Sequence, residues 1–186
     1  MIPHPTTPRL PPVPATDWTD EVRTMIERLP KGDGGPLNVF TTLANHPNLM
    51  RRWLPYGTAL LQGEIALRDR ELLILRTAWN CRADYEWGQH EKIGLMCGLS
   101  ADEIARVAKG PDAPGWEPFD ATLLRAADEL HADACLSEAT WKALGARYQT
   151  KQLVELPMLV GQYHMLAFAL NSLGVQREDG VEGFPT

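Results

Sequence analysis

Three side chains between residues 71 and 90 could carry proton-transfer chemistry. Glu86 and His90 are four residues apart, so they share one face of any helix that contains both. A carboxylate beside an imidazole orients the ring and stabilises its protonated form. Glu71 stands in an otherwise apolar stretch, where a carboxylate is unfavourable unless it has a partner. The pattern is typical of a general acid supported by carboxylates, and also of a solvated surface pair beside a helix-start glutamate.

Several neighbouring residues are candidates for binding a substrate. Ala83 lies on the same helix face and is small enough to leave room for a ligand. Arg76 could hold a substrate carboxylate, although an unpaired surface arginine explains it equally well. Tyr85 and Trp87 could form a pocket wall or simply pack in the core. His164 could reach the same pocket from the last long helix, although a packed core histidine is the commoner role.

The histidines and cysteines do not predict a metal site. The three candidate residues of the 71–90 stretch offer three ligands, but no second histidine lies among them. Cys81, Cys97 and Cys135 are an odd number at no metal-ligand spacing, and we interpret them as reduced thiols. His131 follows two acidic residues and is interpreted as a packed or capping residue. We therefore expect no metal and no cofactor.

Composition excludes several classes of protein. The chain has 186 residues, 44% of them apolar and 23% charged, which suits one globular domain. A net charge of −6 does not favour nucleic-acid binding. No run approaches the roughly 18 apolar residues of a membrane span, and the first residues do not resemble a secretory signal. We expect a cytoplasmic protein whose partners are a small-molecule substrate and further copies of itself.

Apolar spacing predicts an all-α fold in three parts. Residues 1–15 hold six prolines and should form an extended arm, either loose or laid on a neighbouring subunit. Residues 16–175 form one helical domain, and the polar tail 176–186 should be loose. The predicted helices span about 18–29, 38–44, 47–61, 67–81, 85–97, 101–110, 119–132, 138–148 and 151–173, with 31–36 as a loop.

Residues 68–90 span two successive predicted helices, which we expect to form a helical hairpin. This hairpin sequence resembles the carboxymuconolactone decarboxylase family, which includes the AhpD-like alkylhydroperoxidases. Redox members carry a glutamate, then twelve residues later a Cys-x-x-Cys, then a histidine four residues after the second cysteine. Glu71 falls on the glutamate position and His90 on the histidine. Ala83 and Glu86 stand where the two cysteines would be, so the chain resembles the non-redox branch.

The resemblance extends beyond the hairpin. Its core covers roughly residues 45–110, and segments 126–131 and 137–141 resemble longer members of the branch. It implies an AhpD-like helical bundle built around the hairpin, and a homo-oligomer, commonly a trimer or hexamer. We expect Glu71, Glu86 and His90 to line the one pocket of the protein with convergent polar groups.

The first functional hypothesis that follows is a cofactor-free lyase resembling 4-carboxymuconolactone decarboxylase. Loss of CO2 from a carboxylated lactone leaves a dienolate, to which protonated His90 could deliver a proton. Glu86 or Glu71 would hold His90 charged, and Arg76 or Arg82 would hold a substrate carboxylate. The alternatives are an AhpD-like peroxidase or redox adaptor, and a non-catalytic binding or assembly protein on the same scaffold.

Overall fold

Helical apolar spacing produces an all-α structure, as the sequence predicts. The computed structural model describes residues 2–185. Within that range the α-helices are α1 Asp20–Glu27, α2 Asn38–Leu43, α3 Pro47–Leu61, α4 Leu67–Asn80, α5 Asp84–Met96, α6 Ala101–Lys109, α7 Pro118–Asp133, α8 Glu138–Gly145 and α9 Thr150–Leu173. The predicted loop 31–36 contains a small antiparallel hairpin of two-residue strands, β1 Lys31–Gly32 and β2 Gly35–Pro36.

Local signals set most of the helix ends. Ser100 and Glu103 form a capping box that begins α6. Thr19 caps α1, because its side chain accepts a hydrogen bond from the backbone amide of Val22. Gly174 ends α9 at a φ of 69°, a conformation that glycine adopts without a Cβ clash. Pro157 lies inside α9, which nevertheless remains one helix from Thr150 to Leu173.

The α4–α5 hairpin is the centre of the fold. α4 packs against α5, α6, α7 and α9, and its middle residues from 69 to 75 are buried. The turn into α5 passes through Arg82 in the left-handed region, with a φ of 53°. The amide of Ala83 then donates to the carbonyl of Ala78 at 2.8 Å, which closes the turn. The hairpin therefore holds its side chains between helices on several sides.

The last helix, α9, has a buried face and an exposed apolar face. Seven of its residues are buried, whereas Val154 and Phe168 are 63% and 62% exposed. By length and by a mean hydropathy of 1.3, α9 could cross a bilayer. Such a helix was not expected from the sequence, because no uninterrupted apolar run is long enough, whereas an average over a window tolerates isolated polar residues. Since α9 packs against α3, α4, α5 and α7, we interpret it as a core helix of the bundle.

Both chain ends lie on the domain. Amides of Arg9 and Leu10 donate to the carbonyl of Leu173, which fixes the proline-rich arm against the end of α9 on its own chain. The prediction of a loose tail was wrong, because the Glu178 carboxylate accepts from the backbone amide of Asn38 at 2.7 Å. The ring of Phe184 also packs near the tryptophans of the hairpin. Few apolar residues mark the tail in sequence, so its docking depends on these specific contacts.

Candidate active site

A buried charge cluster joins the two helices of the hairpin. Glu71 on α4 is completely buried, and its Oε1 accepts hydrogen bonds from the Arg70 guanidinium at 2.8 and 2.9 Å. Its other oxygen, Oε2, lies 2.7 Å from Nδ1 of His90 on α5. Arg70 also donates to the backbone carbonyl of Leu61 at the end of α3. The predicted proximity of Glu71 and His90 is therefore present, with Arg70 as an additional partner.

The protonation of this cluster follows from its contacts. Burial alone would raise the pKa of Glu71, but His90 and Arg70 outweigh burial, and the pKa of Glu71 lies below its ordinary value. Glu71 is therefore a carboxylate at neutral pH, and a carboxylate only accepts hydrogen bonds. The hydrogen at 2.7 Å must belong to Nδ1 of His90. This arrangement fixes the ring and leaves Nε2 to exchange a proton with a reactant.

Nε2 of His90 lies at the small exposed edge of the ring. The residue is 8% exposed. Its Nε2 makes no hydrogen bond within residues 2–185, and this atom is not completely buried. Tyr163 of α9 packs edge-on against the imidazole, with ring centroids 5.0 Å apart. Burial, with the charges of Glu71 and Glu86, raises the pKa of Tyr163 well above its ordinary value. Tyr163 is therefore a neutral wall beside the imidazole.

Glu86 does not orient His90, contrary to the expectation from their spacing. Both carboxyl oxygens of Glu86 are buried and have no hydrogen-bond partner among the described residues. Glu71 makes the contact instead, because the hairpin brings α4 directly against the imidazole. Burial raises the pKa of Glu86 well above its ordinary value. An unpaired carboxyl kept inside the protein is a group whose retention is more readily explained by function than by stability.

Replacing Glu86 with glutamine is expected to stabilise the protein at pH 7 by on the order of 1–3 kcal/mol. Because the folded-state pKa is raised, the unfolded chain ionises first as pH increases. The wild type therefore loses stability upwards from about pH 4.5, and the neutral amide does not. Urea unfolding at pH 4, 5.5 and 7 should show a difference that grows with pH. A wild type more stable than the variant at pH 7 would mean that Glu86 is ionised and paired.

Arg76 is not available to hold a substrate, and the interpretation of an unpaired surface residue was also wrong. Its guanidinium makes a two-pronged contact with Asp128 on α7, at 2.6 and 3.0 Å. It also donates to the carbonyls of Val107 and Ala108 at the end of α6. Most donors of Arg76 are thus used in tying α4 to α6 and α7.

Three other residues predicted to bind a substrate are instead packed in the core or against the C-terminal tail. Ala83 is completely buried at the start of α5, so its small size serves packing rather than a ligand. Trp87 packs against Phe184 of the tail, with ring centroids 5.5 Å apart. The hydroxyl of Tyr85 donates to Glu178 at 2.8 Å. Residues of the tail therefore cover the side chains of Trp87 and Tyr85, which were expected to face a substrate.

Two cavities of the described residues lie away from His90, and neither is the predicted pocket at the hairpin. One, of about 530 Å³, lies between the arm, the tail and the end of α9, and Tyr85 is among its lining residues. The other, of about 230 Å³, lies between α5, α6 and the tail beside Trp87. Neither is lined by Glu71, Glu86 or His90. Within residues 2–185 Glu71 has no exposed surface, and Arg70 and His90 are only 6% and 8% exposed, so the charge cluster is nearly closed to solvent.

His164 belongs to a second cluster and not to the His90 site. Its Nε2 lies 2.9 Å from Nδ1 of His131 on α7. That same nitrogen of His131 lies 3.9 Å from Sγ of Cys81, the residue directly after α4. The three ligand atoms all lie within 4.8 Å of one another, as metal ligands do. Sequence spacing could not show this group, because it is assembled from three separate helices.

Comparisons with known proteins agree with the helical architecture. An "AhpD core" structure of a peroxidase-related protein from Ralstonia eutropha JMP134 superimposes with a TM-score of 0.82 at 21% identity, covering 95% of each chain. A peroxidase-related protein from Silicibacter sp. TM1040 gives a TM-score of 0.80 at 15% identity, covering 96% of this chain and 98% of the other. A variant of the debrominase Bmp8 in complex with 2,3,4-tribromopyrrole gives 0.71 at 14% identity, covering 94% of each.

These identities establish a shared fold and nothing about activity. No curated protein matches the sequence significantly. Residues 47–129 match the model of the carboxymuconolactone decarboxylase family, a segment that begins near the predicted residue 45 and continues past the predicted residue 110 into α7. Residues 47–129 therefore match the carboxymuconolactone decarboxylase family, and the chain as a whole has an AhpD-like fold.

Proposed function

We propose that the protein is a cofactor-free carboxy-lyase that acts on a small carboxylated lactone or related carboxylate. The supporting observation is the contact of Glu71 with Nδ1 of His90, which leaves Nε2 without a hydrogen-bond partner among residues 2–185 and not fully buried. A histidine held on one nitrogen by a buried carboxylate is suited to general acid–base chemistry on the other. Arg70 keeps Glu71 ionised and in place, so it acts as a positioning residue.

The proposed reaction needs no external oxidant or reductant. The bond between the ring carbon and the substrate carboxylate breaks, CO2 leaves, and the electron pair moves into the conjugated lactone. The resulting dienolate then takes a proton at carbon from Nε2 of His90, which is reprotonated from water. Glu71 stabilises the imidazolium before the transfer. Because only the edge of His90 is exposed, substrate must bind along that edge and displace neighbouring side chains.

Thiol chemistry receives less support from the same structure. Cys81 lies in the second cluster, and burial, with the charge of Glu86, raises the pKa of its thiol to about 12. Burial and Glu71 also raise the pKa of the Cys97 thiol. A peroxidatic cysteine requires the opposite shift, towards a stable thiolate. Peroxide treatment should therefore leave both cysteines as free thiols, counted with a thiol reagent after the protein is unfolded, and their rapid loss would favour the peroxidase.

A direct assay tests the lyase. The purified full-length chain would be incubated in D2O with 4-carboxymuconolactone and a panel of related carboxylated lactones. We expect release of CO2 and incorporation of one deuterium at a ring carbon of the dienolate, either the carbon that carried the carboxylate or the one beside the lactone carbonyl. If no compound loses CO2 although some raise the melting temperature of the protein, the scaffold is a binding protein and the lyase proposal is wrong.

We also propose that the chain assembles into a homo-oligomer through α9. Val154, Met158, Met165 and Phe168 are exposed apolar residues that fall on one face of this helix. An apolar stripe of this length is unusual on the surface of a monomer. Complexes of three or six copies would match the family expectation, and they would cover the stripe.

Light scattering at micromolar concentration should give a multiple of 20.7 kDa. Val154→Glu places a charge in the stripe and is expected to reduce the mass towards one chain. Met96→Glu is the matched control, because Met96 is equally apolar and exposed but lies at the end of α5. A wild-type mass near 20.7 kDa would contradict the proposed assembly.

A further inference from the structure

We infer that Cys81, His131 and His164 form a binding site for one Zn²⁺ ion. Two imidazole nitrogens and one sulfur are the ligand types that zinc prefers in proteins, whereas Mg²⁺ and Ca²⁺ prefer oxygen. The three ligand atoms lie within 4.8 Å of one another. The site is separate from the His90 cluster, and it does not depend on the lyase proposal.

The helices that supply the ligands are packed against one another. Cys81 directly follows α4, His131 lies near the end of α7, and His164 lies within α9. Each of these three helices contacts the other two. The backbone of Cys81 is further held on both sides, because its amide donates to Thr77 and its carbonyl accepts from Asn171, each at 2.9 Å. The ligands are therefore positioned by the core of the fold.

His164 is already in the tautomer that a metal ligand requires. Its Nδ1 lies 2.9 Å from the backbone carbonyl of Val160, and a carbonyl can only accept. The proton is therefore on Nδ1, and Nε2 has its lone pair directed at the cluster. A hydrogen bond from the second ring nitrogen to a backbone carbonyl is the usual support of a metal-binding histidine.

The observed spacing is close to that of a metal complex. Tetrahedral zinc, with bonds of about 2.0–2.1 Å to nitrogen and 2.3 Å to sulfur, separates two nitrogens by about 3.3 Å and a nitrogen from sulfur by about 3.6 Å. Here Nδ1 of His131 lies 2.9 Å from Nε2 of His164 and 3.9 Å from Sγ of Cys81. A movement of a few tenths of an ångström by Nδ1 of His131 would therefore bring both distances to those of a zinc complex.

A bound ion would retain one position for solvent. The cluster lies at the surface, with His131 exposed and Cys81 and His164 partly buried, so water can supply the fourth ligand. Binding would move the ring proton of His131 from its Nδ1 to its own Nε2, which frees Nδ1 for the metal. It would also release the Cys81 thiol proton to solvent, because only a thiolate coordinates zinc. The ion would then link the ends of three helices.

Metal binding can be measured directly on the untagged, full-length protein. Zn²⁺ would be titrated against a chromophoric chelator, and Co²⁺ would be used as an optical probe of the ligand set. We expect one equivalent of Zn²⁺ per chain and a higher melting temperature. With Co²⁺ we expect near-ultraviolet charge transfer from thiolate and visible bands of a four-coordinate ion.

Single-ligand variants test the assignment. Cys81→Ser should abolish the thiolate-to-cobalt absorption, and His164→Gln should weaken Zn²⁺ binding by more than the roughly 10- to 100-fold that loss of an outer partner causes. Cys135→Ser and His4→Gln are matched controls, because neither residue belongs to the cluster, and both should bind like the wild type.

Two results would overturn the inference. One is a wild-type protein that binds less than one equivalent of Zn²⁺ at micromolar concentration. The other is binding that Cys81→Ser and His164→Gln leave unchanged, which would locate the ion elsewhere. Circular dichroism of the metal-free variants is part of the test. If His164→Gln is unfolded, His131→Gln replaces it, because His131 is exposed and tolerates substitution more readily.

Discussion

Replacing His90 with asparagine is expected to lower turnover of a lactone substrate by roughly 100- to 10,000-fold, the usual contribution of a positioned general acid. Asparagine retains a polar group of similar size at the hairpin, but it cannot donate a proton to the dienolate carbon. Because Nε2 of His90 is the accessible nitrogen, the loss should appear in kcat. Single-turnover measurements of CO2 release and of deuterium incorporation would measure it.

Two controls separate chemistry from structure in this experiment. His4→Asn makes the same substitution in the arm, at a residue that makes no contact with the Glu71–His90 pair, and should turn over substrate at the wild-type rate. Small imidazoles added to His90→Asn should restore part of the proton transfer if the defect is the missing acid. Wild-type turnover by His90→Asn would mean that the reaction occurs elsewhere and that the cluster is part of the architecture.

Sequence reasoning located Glu71 and His90 because helical spacing and the motif of the family both point to these two residues. Helical spacing predicted α4 and α5, and the family register assigned Glu71 and His90 to facing positions across the hairpin. It left Glu86 and Glu71 as alternative partners of His90, and Glu86, although one turn from His90, makes no hydrogen bond to it. Spacing along one helix restricts which residues share a face, but packing decides which of them meet.

Most of the contacts that sequence reasoning missed join residues far apart in the chain. Arg76 pairs with Asp128, 52 residues away, and the tail carboxylate of Glu178 reaches Asn38 across 140 residues. Cys81 and His131 are 50 residues apart. Each pairing depends on how helices are stacked, and a single sequence contains no periodic signal for it. Arg70 was missed for another reason, because an arginine beside a glutamate is ordinarily a surface residue.

Glu71→Gln is expected to lower the free energy of unfolding by about 3–5 kcal/mol, the usual effect of removing one partner from a buried charged pair. Glu71 has no exposed surface, and its two oxygens accept from Arg70 and His90. A glutamine amide has one acceptor oxygen and no charge, so the Arg70 guanidinium would stay buried without its counter-ion. This result differs from that of a helix-start glutamate, whose loss is worth only a fraction of 1 kcal/mol.

The dependence on pH makes the test specific. Because the pKa of Glu71 is lowered in the folded state, its stabilisation is complete above about pH 4.5 and is lost as pH falls through the folded value. The wild type and Glu71→Gln should therefore converge in acid. Glu21→Gln is the matched control, since Glu21 pairs with Arg51 at 3.3 Å on the surface and should be worth less than about 1 kcal/mol. Equal, small losses in both variants would show that Glu71 is not the buried anchor of His90, and the acid–base proposal would lose its support.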